Sequence, residues 1–320
     1  PDYRIKPDVS APGTYIRSAS KVTECDSSDD SSSTTILSGT SMATPVVAGS
    51  VALVRQYLQD GFTNGGVVAN TTISNPSAAL LRAVIINGAQ SMRGMDIESG
   101  FPLEQAPSFK QGWGRVDLIK SLRVEGNDDS PPTFYARESV LTDNDETVVQ
   151  SYEGACVEVT NSALQEDIWA LTFTLAWSDP SDDVTTGSIL NNDLDLQLYK
   201  WNYDTGTSQF VAPLIGNDRT NNVEKIVWSN PEVGERYFVR VSRYGELTKG
   251  VQKYALVGTG DFSIISASED ELEQCLTPSP PSPPPPTPPP SPPPSPPPPN
   301  PPPSPPPSPP PNPPPLPPPN

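Results

Sequence analysis

The sequence predicts three parts: an α/β segment, an all-β antiparallel sandwich or jelly roll, and a disordered proline-rich tail. Three observations carry this. Apolar residues gather into helix-like stretches with Gly and Pro turns before residue 126. The hydrophobic period changes to two from about residue 135. Most of the 44 prolines follow Thr277. Proline this dense cannot donate backbone hydrogen bonds or build a core, and it stays in polyproline II at about 3.1 Å per residue. The expected boundaries are 1–126, 133–268 and 277–320, with the first break in the Asn/Asp/Ser/Pro cluster from Gly126 to Pro132.

The first part opens with Lys6-Pro7-Asp8-Val9-Ser10-Ala11-Pro12-Gly13, a strand end followed by a tight turn. Cys25 to Thr35 is rich in Ser and Asp and reads as an exposed loop. A helix then starts after Gly39, where Ser38, Thr40 and Ser41 can each accept from a free first-turn amide. Pro45 falls early enough for its missing N–H to cost little. Val46 to Val54 is almost wholly apolar or small, which predicts a buried central helix. A second helix is punctuated by Asn75 as cap, Pro76 and Gly88, with Leu80, Leu81, Val84 and Ile85 as its inward stripe. Gly112-Trp113-Gly114-Arg115-Val116-Asp117 precedes a short third helix.

In the second part, Leu171 to Trp177 alternates large apolar with small side chains. Leu194 to Leu198 and Tyr237 to Val241 alternate too, and Tyr254 to Val257 is another strand candidate. Short alternating runs bounded by Asn, Asp, Gly and Pro predict an antiparallel sandwich.

A formal charge of −18 with pI near 4.3 argues against nucleic acid as a partner, because phosphate binding needs a basic face. No apolar run approaches the roughly 20 residues that a membrane span needs. The chain has no histidine, so it holds neither a His-based metal site nor a complete Ser-His-Asp triad. Cys25, Cys156 and Cys275 are widely spaced and an odd count, which excludes a C-x-x-C metal motif and leaves one thiol free or paired elsewhere. Pro1 is not a natural start, so the chain reads as a fragment, and its lack of a signal peptide does not bear on secretion.

The chemistry centres on Ser41. A serine hydroxyl needs a base to take its proton and donors to hold an oxyanion. The start of a helix offers free amides and a positive dipole end, and Gly39 lets a substrate backbone approach closely. Gly39-Thr40-Ser41-Met42-Ala43-Thr44-Pro45, followed by Val47-Ala48-Gly49, resembles the active-site serine motif of the subtilisin-like serine peptidases, the subtilases. The turn from Lys6 to Gly13 resembles the segment upstream of that serine, and Gly112 to Asp117 resembles the segment that closes the catalytic domain. Val46 stands where many members carry a histidine that is not the triad base.

The resemblance implies the last part of a parallel-sheet α/β domain and a serine endopeptidase that works through an acyl-enzyme on Ser41. Gly39, Thr40 and Met42 would support the motif, with the Ser41 amide and Thr40 at the oxyanion. In this family the triad runs Asp, His, Ser along the chain. The Asp and His are therefore expected upstream of Pro1, and this chain alone is expected to be inactive. No cofactor is needed for the chemistry, and the partner is a protein or peptide substrate.

Trp177-Ser178-Asp179-Pro180 with Asn192 to Leu196 resembles the C-terminal jelly-roll domain of some bacterial and algal subtilases. Asp179, Asp193 and Asp195 are candidate ligands for a structural calcium ion, which takes hard oxygen donors. Asn70-Thr71-Thr72 is a glycosylation sequon. The tail resembles the hydroxyproline-rich segments of plant and green-algal wall glycoproteins. That implies an extracellular or wall location, association of the tail with the wall, and matrix glycoproteins as substrates. The competing reading is a non-catalytic wall or matrix glycoprotein with a degenerate peptidase part.

Overall fold

A computed structural model describes residues 3–20, 34–62, 72–96, 99–143, 153–160, 169–181, 190–202, 207–210 and 218–266. All of them fall in one unit, Pro1–Pro278. The proline-rich tail and Asn70 lie outside the described residues.

Strands β1 (Ile16–Ala19) and β2 (Thr34–Leu37) pair antiparallel, and helix α1 (Thr40–Gln59) follows. Helices α2 (Ala78–Asn87) and α3 (Leu118–Ser121) complete this part. Its one parallel contact among the described residues is the bridge between Ser10 and Arg115, so the expected parallel sheet is not found there. Parallel strands must be joined by long crossovers, and here the path through α1 and α2 brings only that single pair of residues together.

The two main helices exchange the roles that their composition suggests. In α1 only Val54 and Leu58 are buried, while Leu53 is 57% exposed and Val46 37%. In α2, seven of ten residues are buried, Ala79, Leu80 and Ala83 through Asn87. The reason lies in what each helix meets. Helix α2 packs against the sandwich on one side and α3 and α1 on the other. Helix α1 touches the rest mainly through its C-terminal half, where Tyr57 stacks on Phe62, meets Phe134 edge-on at 5.6 Å and donates to the Arg123 carbonyl at 2.7 Å.

The helix starts also differ from expectation. Ser77, not Asn75, caps α2, and its hydroxyl accepts from the Leu80 amide at 3.1 Å. The Ser77 amide in turn donates to Glu138 Oε1. Ser77→Ala is expected to lower stability by about 1 kcal/mol, read as a lower urea midpoint at unchanged slope. A shift within error would mean that the cap contributes nothing. Gly88 ends α2 as expected, but for a packing reason: a Cβ there would sit 2.3 Å from the Ser121 amide nitrogen.

Beyond residue 132 the chain builds two antiparallel sheets. The strands are β3 (Thr133–Thr142), β4 (Glu153–Val159), β5 (Leu171–Trp177), β6 (Asp193–Asn202), β7 (Thr207–Phe210), β8 (Val223–Trp228), β9 (Arg236–Tyr244), β10 (Val251–Gly260) and β11 (Phe262–Ser266). One sheet runs β3-β10-β5-β8 and the other β11-β4-β9-β6-β7. Their facing side chains share one core that includes Phe173, Leu175, Trp177, Leu196, Val239 and Leu256.

The alternation in β5 now has a cause on both faces. Leu171, Phe173, Leu175 and Trp177 fill the space between the sheets. Thr174 and Ala176, on the opposite face, are fully buried beneath α2 together with Ala255 and Val257. Small side chains there let a helix approach the sheet closely. The fold is therefore mostly β, with one helix buried on the back of a two-sheet sandwich.

Candidate active site

Three short segments are tied together ahead of Ser41. The Trp113 amide donates to the Asp8 carbonyl at 2.8 Å, Ser10 and Gly114 bond at 2.8 Å, and Val116 returns to the Ser10 carbonyl at 2.9 Å. On its other side Arg115 exchanges two backbone bonds with Gln90, at 2.8 and 2.9 Å. Glycine is required twice in this crossing. Gly112 has φ 62° and a Cβ there would lie 2.2 Å from the Pro7 carbonyl, while Gly114 has φ 119° and would meet the Gln90 carbonyl at 2.4 Å. The two motifs that looked separate in sequence are one hydrogen-bonded clasp.

The clasp reaches the serine through Gly13. The Gly39 amide donates to the Gly13 carbonyl at 2.7 Å, and Gly39 then begins α1 with φ 150°. No side chain caps the helix. Ser38, an expected cap, instead accepts from the Tyr15 amide at 2.9 Å. Ser41 is the second residue of α1 and is exposed. Among the described residues nothing bonds to its hydroxyl or its amide. Gly39 and Thr40 are exposed beside it and Met42 is half-buried. The Thr44 hydroxyl turns back to the Thr40 carbonyl at 2.9 Å. Pro45 is the sixth helical residue, later than expected, so it removes the N–H that would have bonded the Ser41 carbonyl. The result is a serine on a fixed turn, with a free hydroxyl and a free amide at the positive end of a 20-residue helix.

The aspartates singled out in the sequence have two different jobs. Asp179 accepts from the Asn191 and Asn192 amides at 2.9 and 2.8 Å, which closes the loop before β6. Asp193 and Asp195 come together on one cation, Arg219, at 3.1 and 2.7 Å. The guanidinium also lies over the Tyr244 ring, 3.8 Å from its centroid. A dication at this pair would have to displace Arg219. Among the described residues no group of three Asp, Glu, Cys or His is arranged to hold a metal. Cys156 is disulfide-bonded, to a cysteine outside the described residues.

Two buried charges carry no sequence motif. Glu224 is 1% exposed; its Oε2 accepts from the Leu196 amide at 2.5 Å and its Oε1 has no partner among the described residues. Burial pushes its carboxyl up to about 9 against the opposing pull of that amide. Asp193 is raised to about 6, by burial first, with Arg219 opposing and Asp195 adding to the rise. Lys225, the next residue, points to the other side of the sheet, and burial lowers its ammonium to about 8. Adjacent Glu and Lys on a short strand read as a solvated pair, so their opposite burial leaves no trace in the sequence.

The subtilase family matches residues 1–114, the stretch that holds α1, α2 and the clasp as far as Gly114. Residues 1–114 belong to the subtilase family. At the family level this segment is of the serine-peptidase kind. The chain is similar to the serine protease/ABC transporter B family proteins tagD and tagB of Dictyostelium discoideum, at 26% and 27% identity over 86% and 81% of its length. Those matches run past residue 114 into the strands. It is 31% identical over 121 residues to the subtilisin-like protease SBT6.1 of Arabidopsis thaliana, covering 38% of this chain. The chain spans 18%, 16% and 9% of these relatives, respectively.

Proposed function

We propose that the chain is part of a secreted serine endopeptidase, with Ser41 as nucleophile. The observation that carries this is the exposed Ser41 on the first turn of α1, with its amide unpaired, inside the subtilase segment. The hydroxyl would attack the scissile carbonyl, and the Ser41 amide would donate to the oxyanion that forms. The proton must pass to a histidine held by an aspartate, and both residues would come from chain outside these 320 residues. The apolar outer face of α1, with Val46 and Leu53 exposed, suits packing against that missing portion.

The strand order supports reading the β part as a jelly roll. The sheet β3-β10-β5-β8 faces β4-β9-β6-β7, with β11 added at one edge. A disulfide at Cys156 supports an oxidising, extracellular compartment. No helix among the described residues is long and apolar enough to cross a membrane. Wall or matrix glycoproteins as substrates, and wall association of the tail, rest on the tail's composition.

A fluorophosphonate probe tests the mechanism. The 320-residue chain alone should not label, because it has no base to activate Ser41. The longer protein should label at Ser41. Labelling of the short chain would overturn the mechanism, and failure of the longer protein to label would favour a non-catalytic scaffold.

A further inference from the structure

Lys225 is 9% exposed and has no carboxylate partner among the described residues. Its ammonium sits beyond the C-terminal end of α2 and donates to the Ile86 and Ala89 carbonyls at 3.0 and 3.3 Å. The exposed carbonyls and negative dipole end of the helix stabilise a cation there. An ammonium has three N–H donors, and the third has no acceptor among the described residues. Lys225 lines a cavity of ≈ 380 Å³. That volume lies near the small end of the roughly 300–1,000 Å³ typical of ligand sites.

The other walls set the chemistry of an occupant. Trp113, Trp169, Pro107 and Val227 supply apolar and aromatic surface. The second lysine on the wall, Lys120, lies 4.4 Å over the Trp169 ring and donates to the Asp129 carbonyl. Among the described lining residues there are two lysines and no carboxylate. The hydroxyl of Thr259 is already engaged by Asn87, and that of Ser91 by the Ala106 amide. Lys225 is therefore the buried cation on this wall, with an N–H that has no acceptor among the described residues, beside apolar and aromatic surface.

We infer that this cavity binds a carboxylate with an aromatic or branched apolar body, the carboxylate on Lys225 and the body against Trp113 and Trp169. A peptide's C-terminal residue and a free organic acid share this chemistry. The site lies at the seam between the subtilase segment and the sandwich, and Ser41 is not among its lining residues.

Calorimetric titration of the 320-residue chain separates the possibilities. The acids are N-acetyl-L-phenylalanine and phenylacetate, and each is compared with its uncharged amide. At least one acid should saturate a single site, with its amide weaker by about tenfold or more, as expected when a buried charge-assisted hydrogen bond is lost. Tighter binding of the N-acetyl amino acid assigns a peptide end, and tighter binding of phenylacetate assigns a free acid. The preference should fade as pH rises through about 8, where Lys225 loses its proton. It should also vanish in Lys225→Met. If that variant does not fold, the acid–amide comparison on the unaltered chain decides. Absence of saturable acid binding, or equal binding of acid and amide, overturns the inference.

Discussion

In the proposed endopeptidase, Ser41→Ala is expected to lower kcat on a peptide substrate on the order of 10⁶-fold, the cost measured for loss of the serine in subtilisin itself. KM should change little, because the hydroxyl acts in the chemical step rather than in binding. The same substitution should leave stability within about 0.5 kcal/mol. Ser41 is exposed and its side chain bonds nothing among the described residues, so alanine removes no native contact. The split between a very large kinetic effect and a negligible thermal one is the signature of a nucleophile. A fall of less than tenfold in kcat, with folding intact, would remove Ser41 from the mechanism.

That separation depends on how the serine is held. Its position is inherited from backbone bonds made elsewhere: Trp113 to Asp8, Gly114 to Ser10, Gly13 to Gly39. The motifs at Lys6–Gly13 and Gly112–Asp117 were legible in the sequence as separate punctuation. Their function as a clasp was not, because it depends on contacts between residues about a hundred positions apart. Helix α1 was legible as an apolar run, yet composition could not say which helix would be central. Burial of α2 follows from the small side chains Ala176, Ala255 and Val257 on the back of a sheet far along the chain. The strands at Leu171, Leu194 and Tyr237 were legible from period two, and Tyr254 to Val257 as a further candidate, since the face between the sheets is apolar. Val223–Trp228 was not, because it buries charge on both faces: Glu224 toward the sandwich, Lys225 toward α2.

Glu224→Gln is expected to stabilise the chain, and to do so increasingly as pH rises. The Glu224 carboxyl is 1% exposed and titrates near 9 in the fold, against 4.5 for the free group. The cause is burial, reinforced by Asp195, Asp193 and Asp218 nearby and opposed by the Leu196 amide. Below pH 4.5 both folded and unfolded chains carry the neutral acid, and the full stability is present. Above that pH the unfolded chain ionises first and is favoured. Stability therefore falls by about 1.4 kcal/mol per pH step until the folded group also ionises near 9. Asp193, titrating near 6, adds a smaller loss of the same sign at lower pH, while Lys225 gives a gain only above about 8. Glutamine can still accept the Leu196 amide, and its NH₂ can face the neighbouring carboxylates where Glu224 Oε1 stands unpaired. At pH 7 the variant should be more stable on the order of 3 kcal/mol, and at pH 4 indistinguishable from the parent. Urea unfolding at both pH values measures this directly. Equal stability at pH 7 would mean that Glu224 ionises within the fold rather than staying buried and protonated.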